Sequence, residues 1–130
     1  MLKILFTGIA ISMLALGSLA ASAATTEPAK MGSTTMGKVW VDAKGMTLYT
    51  FDKDAAGSGK SACNGPCATN WPPLMAAADA KAAGDYSIAT RDDGAKQWAF
   101  KGKPLYLWAK DQKPGDKTGD GFNSVWHTAR

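Results

Sequence analysis

LYTFDKD (Leu48 to Asp54) and LYLWAKD (Leu105 to Asp111) spell one pattern twice in a chain of 130 residues: Leu-Tyr-x-aromatic-x-x-Asp. The echo reaches further back. Gly45 stands before the first copy as Gly102 stands before the second, and removing one residue from the first turn also aligns Lys38 and Trp40 with Lys96 and Trp98. What repeats is a hairpin, its aromatic second strand and the loop beyond. A lone hairpin is marginally stable in water, and two hairpins that bury a shared face solve that problem. The expected architecture is mainly β: a small antiparallel β domain of two degenerate, hairpin-containing repeats in a pseudo-two-fold relation. Repeat one covers about 38–73 and repeat two about 95–127, inside a single β domain over 38–130.

Composition agrees with strands and tight turns. Ten of the eleven acidic residues are Asp, whose short side chain bonds nearby backbone and so favours turns and caps. In KVWVDAKGMTLYTFDKD, from Lys38 to Asp54, β-favouring runs are broken at Asp42 to Gly45. Strands are expected again near 86–91, 96–100 and 104–110, with turns at Asp93-Gly94 and Lys101-Gly102-Lys103. The Ala-rich stretch from Leu74 to Asp85 reads as either an irregular crossover or a short helix near 74–83, the one helix expected.

Within each motif the period of two sorts the side chains. Leu48 and Thr50 face one way, matched by Leu105 and Leu107. Tyr49 and Phe51 face the other, matched by Tyr106 and Trp108. Either these strands are buried on both faces, or Tyr49, Phe51, Tyr106 and Trp108 form a binding platform together with Trp71. Asp54 and Asp111 fall out of step with the aromatics, where each strand should end. Their expected task is to accept backbone N–H bonds in the following turn.

The chain opens with one charge, Lys3, then an apolar run from Ile4 to Ala21 ending in Ala21-Ser22-Ala23. That is the pattern of a cleaved signal peptide over residues 1–23, with periplasmic or secreted localisation and no membrane span after cleavage. Residues 24–37 (ATTEPAKMGSTTMG) are small, polar and without apolar periodicity, and read as a flexible linker. A net charge of +4 spread along the chain gives no electrostatic footprint for nucleic acid.

Cys63 and Cys67 are the only cysteines and enclose Asn-Gly-Pro, turn-forming material. In an oxidising compartment a pair this close is expected to form a disulfide, provided the chain turns sharply. Its loop is short, so it would add only about 2 kcal/mol and mainly fix the approach to Trp71-Pro72-Pro73. Two sharper readings use the same pair: thiol–disulfide exchange, and a copper site with His127, the sole histidine, as third ligand. His127 lies near the C-terminus beside Trp126, where packing suits it better than general-base work, and Asp54 with Asp111 are equivalent through duplication alone. No haem, phosphate-cradling or dinucleotide motif occurs, and no cofactor is implied.

Four stretches in order carry a family resemblance: the two Tyr-x-aromatic-x-x-Asp motifs, SACNGPCATNWPP (Ser61 to Pro73) and RDDGAKQWAFKGKPLY (Arg91 to Tyr106). Together they resemble the bacterial secreted-repeat family of predicted lipoproteins with a Yx(F/W)xxD motif, from about Lys38 to His127. This chain lacks the lipidation cysteine of the lipoprotein members. The resemblance implies export and a repeated domain, and no activity. The expected function is a non-enzymatic envelope binding or interaction module for an unknown partner or small ligand, with redox or copper handling through Cys63 and Cys67 as the alternative.

Overall fold

The computed structural model describes residues 27–34 and 37–130; the expected signal peptide lies outside them. Strands β1 (Lys30–Thr34) and β2 (Gly37–Val41) form one antiparallel pair. β3 (Tyr49–Phe51) pairs with the last strand, β7 (Trp126–Thr128), across almost the whole sequence. β4 (Tyr86–Thr90), β5 (Lys96–Phe100) and β6 (Lys103–Pro104) make a three-stranded meander. One helical turn, α1 (Pro66–Asn70), and one 3-10 turn (Phe122–Ser124) complete the elements. Among the described residues no helix is long and apolar enough to cross a membrane.

The duplication is written into the backbone hydrogen bonds. Tyr49 and Tyr106 exchange a reciprocal pair: the Tyr49 N–H donates to the Tyr106 carbonyl at 2.8 Å and the Tyr106 N–H to the Tyr49 carbonyl at 2.9 Å. On its other side each tyrosine meets the chain that follows a tryptophan of its counterpart repeat, Tyr49 opposite Thr128 and Tyr106 opposite Pro73. Further bonds come in matched couples. Trp40 donates to the Ala129 carbonyl as Trp98 donates to Leu74, both at 2.8 Å. Ala129 donates to Leu48 as Leu74 donates to Leu105, and Asp52 to Val125 as Ala109 to Asn70. A self-complementary contact of this kind is the signature of two-fold packing. The helical turn α1 before Trp71 is thus the counterpart of the 3-10 turn before Trp126.

Three expectations need correction. Lys30–Thr34, expected within a flexible linker, is strand β1, because the backbone of this polar stretch finds partners along β2 despite lacking apolar periodicity. Residues 74–83 form no helix; the segment is the irregular crossover, its backbone spent on Trp98, Leu105 and Lys96. The helix sits instead at Pro66–Asn70, where Pro66 takes a first-turn position that needs no N–H. The strand expected over 104–110 is also interrupted. It leaves β5 after Leu105 and is taken over at Tyr106 by Tyr49 and Pro73.

The motif strands are buried on both faces. On one side Leu48 and Leu105, both fully buried, pack with Ala29, Tyr86 and Ala129. On the other, Tyr49, Tyr106, Trp71, Trp108, Trp126 and Cys63 form a second cluster. At its centre Trp71 is stacked between Trp126, at 3.8 Å and 3°, and Trp108, at 3.9 Å and 27°. Phe51 extends the stack beyond Trp126 at 4.2 Å. Gly119 closes it: a Cβ there would lie 2.6 Å from Trp71 and 3.0 Å from Trp108. Rings in a close-packed stack have little room to retreat, so Gly119→Ala should cost about 1–3 kcal/mol, read as a lowered urea midpoint at unchanged m-value.

Candidate functional site

The repeated Tyr and Asp are bonded across the repeats, not within them. The Tyr49 hydroxyl donates to Asp111 Oδ2 at 2.6 Å, and the Tyr106 hydroxyl to Asp54 Oδ2 at 2.6 Å. Each carboxylate also organises the loop after its own motif. Asp54 Oδ1 accepts from the Ala62 N–H at 2.6 Å, and Asp111 Oδ1 from the Thr118 N–H at 2.9 Å and the Thr118 hydroxyl at 2.7 Å. Each loop then returns to the opposite tyrosine: Ser61 Oγ lies 2.6 Å from the Tyr106 hydroxyl, and the Gly119 N–H donates to that of Tyr49 at 3.2 Å. Burial, reinforced by the carboxylate partner, pushes both tyrosine hydroxyls far above their ordinary pKa. Burial likewise raises Asp54, against the lowering effect of Tyr106, Ala62 and Arg91.

Of the two readings of the motif strands, burial on both sides describes this geometry. Tyr49 and Tyr106 are wholly buried, Trp71, Trp108 and Asp111 nearly so, and Phe51 and Asp54 half-buried. The aromatic face packs as core, since the Tyr49–Tyr106 pairing turns both rings toward the tryptophan stack. Asp54 and Asp111 spend their carboxylates on the hydroxyls and loop backbone around them.

Cys63 and Cys67 form a disulfide with Cα atoms 5.2 Å apart. Sequence reading missed what holds this loop. Arg91, 5% exposed, donates from Nη1 to Ser61 Oγ at 3.0 Å and to Gln97 Oε1 at 2.7 Å, and from Nη2 to the Cys63 carbonyl and, at 3.4 Å, to Asn64 Oδ1. Gln97, fully buried, passes the network on to the Leu105 carbonyl at 2.7 Å. In the sequence Arg91 simply ends an otherwise uncharged strand, Tyr86 to Thr90. Strand register, with Met31 opposite Trp40 and Ile88 opposite Trp98, places Thr34 and Val39 at the positions of Arg91 and Gln97, so this polar clamp belongs to repeat two alone.

His127 does not join the cysteines. It lies on the outward face of β7, across from Thr50, with Nε2 2.8 Å from Asp52 Oδ2, whereas Trp126 beside it points inward to the disulfide cluster. Among the described residues no three His, Cys, Asp or Glu side chains gather to hold a metal.

Two of the clefts among the described residues are large enough for a small ligand. The larger, about 640 Å³, is an aromatic groove where the repeats meet, with Trp40 from β2, Tyr86 from β4 and Trp98 and Phe100 from β5. Trp40 and Phe100 lie 4.7 Å apart, Tyr86 and Phe100 5.2 Å, and Lys81, Lys101, Glu27 and Asp85 stand on the rim. Trp40, Trp98 and Phe100 are partly exposed because β2 and β5 pack them over the outside of the Leu48–Leu105 layer, with one side of the rings left to the cleft. The second cleft, about 490 Å³, lies over the outer face of β3 and β7 and contains the Asp52–His127 pair.

Tyr49→Phe and Tyr106→Phe should each cost about 1–3 kcal/mol, by similar amounts, because each leaves a carboxylate short of a donor in the core. Because both tyrosines ionise less readily folded than unfolded, their contribution is complete below pH about 10 and is lost as pH rises from there toward the folded-state values. Chemical denaturation should show stability falling by up to about 1.4 kcal/mol per pH unit for each of these tyrosines, and Tyr49→Phe with Tyr106→Phe should reduce the slope to what Tyr86, also raised by burial, contributes. Replacing both cysteines by serine should cost only about 2 kcal/mol, measured by the same method.

A family model described as "secreted repeat of unknown function" matches the chain twice, over residues 30–75 and 87–130. The two matches coincide with the two halves of the hydrogen-bonded duplication, and the first includes β1. No curated protein and no solved structure gives a match. The chain belongs to the family of secreted repeats of unknown function.

Proposed function

We propose that this secreted-repeat protein is a non-enzymatic binding module of the periplasm or extracellular space, which holds a small ligand with a flat apolar face in the aromatic groove between its repeats. One observation carries the reading: four rings, Trp40, Tyr86, Trp98 and Phe100, line one cleft of ligand size. Ligand sites are typically concave, largely apolar and provided with a few polar groups, and Lys81, Lys101, Asp85 and Glu27 supply these at the rim. Duplication did not require such a groove. Where repeat two places Tyr86 and Phe100, strand register gives repeat one Ala29 and Asp42, so the rings stand on one side only. The carboxylates that a hydrolytic mechanism would use, Asp54 and Asp111, are engaged in the core, and the cysteines are joined to one another.

The test is fluorescence titration with N-phenylnaphthylamine, a neutral dye made only of aromatic rings and one amine. Saturable binding is expected, with Trp98→Ala lowering affinity about tenfold while the melting temperature shows the variant to be folded. Absence of binding, or binding indifferent to both Trp98→Ala and Phe100→Ala, would sink the proposal.

A further inference from the structure

The duplication supplies an internal control for the second cleft. Its floor is the outer face of β3 and β7, where Thr50, Asp52 and His127 project, with Arg130 at the end. The equivalent face in the other half carries Leu107, Ala109, Pro72 and Met75, placed there by the matched bonds of Asp52 to Val125 and Ala109 to Asn70. The same architecture therefore stands without any of these polar groups, and folding does not explain them.

Charge and backbone add two further observations. Lys101, Lys103 and Arg130 line this cleft against two carboxylates, and both carboxylates are engaged: Asp52 with His127, and Asp120 with the Thr128 N–H at 2.9 Å and Arg130 at 4.0 Å. Among the described residues Lys101 and Lys103 form no ion pair. Lys101 also adopts φ 52 in the two-residue Lys101-Gly102 turn between β5 and β6. Such turns favour Asn-Gly, and the left-handed region disfavours a long side chain. Repeat one avoids the strain with one more residue, closing its loop from Asp42 to Met46. A strained lysine retained at the edge of a cleft is an outlier that points to function.

Lys101 and Phe100 line both clefts. Resting on the aromatic-groove reading, we infer that the polar cleft is an anion subsite continuous with that groove. The natural ligand is then an amphipathic anion, its flat apolar body against Trp40, Trp98 and Phe100 and its acidic group beside Lys101 and Lys103.

Two dyes with the same aromatic body test this in about 0.1 M salt: neutral N-phenylnaphthylamine and anionic anilinonaphthalene sulfonate. The anionic dye should bind about fivefold to tenfold more tightly, from added contacts to exposed cations. Lys103→Gln, at a residue that lines only the polar cleft, should remove most of that advantage and leave the neutral dye's affinity unchanged, and adding Lys101→Asn should erase the rest of it. Lys101→Asn should meanwhile raise the melting temperature by relieving the turn, which separates a lost contact from a lost fold. Equal affinities for the two dyes, or an advantage that survives the substitutions, would overturn the anion subsite while leaving the groove intact. Failure of both dyes to bind would overturn the groove reading and the subsite with it.

Discussion

A tyrosine hydroxyl buried among tryptophans needs an acceptor, and in this fold the acceptor belongs to the other repeat. Tyr49 reaches Asp111 and Tyr106 reaches Asp54, while the two tyrosine backbones bond to each other between them. An unpaired polar group at such depth costs a few kcal/mol, so neither repeat can bury its aromatic face without its counterpart. Each carboxylate then fixes the loop behind it, and each loop returns to the opposite hydroxyl. Stack, disulfide loop and terminal strand are all placed relative to this crossed pair.

With the joint held in common, the peripheral positions were free to diverge. Repeat two carries Arg91 and Gln97, which brace the loop of repeat one from Ser61 to Asn64, where repeat one offers Thr34 and Val39. It also carries Tyr86 and Phe100, which line the groove. Repeat one carries a charged face at Asp52 where repeat two has Leu107 and Ala109. Because every such pair shares one backbone setting, differences between the halves separate what the architecture requires from what it merely permits.

Much of this architecture was legible because two signals, periodicity and duplication, operate within the chain itself. Leu-Tyr-x-aromatic gave strands apolar on both sides, and the spacing gave the two-fold. The partners of those residues were not legible. Tyr49 and Asp111 are distant in sequence, and each motif carries its own Asp, so nothing local distinguishes pairing within a repeat from pairing across it. Strand β1 was missed because Lys30–Thr34 pairs through backbone, which leaves no apolar pattern behind. The aromatic groove was missed for the reverse reason: Trp40 and Trp98 stood out only as aligned repeat positions, and the packing of the layers is what brings them together with Tyr86 and Phe100 at one cleft. Arg91 gave no hint that its charge would be spent on carbonyl, amide and hydroxyl oxygens in the interior.

Reciprocity also sets a timetable for the newborn chain. Ribosomes add about 5–20 residues per second, so Tyr106 and Asp111 follow Tyr49 and Asp54 by roughly 3 to 11 seconds. During that interval the N-terminal half has no partner for its tyrosine, its aspartate or its apolar strand. It remains an open chain until the last strand, β7, has emerged to lie beside β3. For a protein of a secreted family this is a useful delay, since nothing stable forms in the first half while the second is still being made.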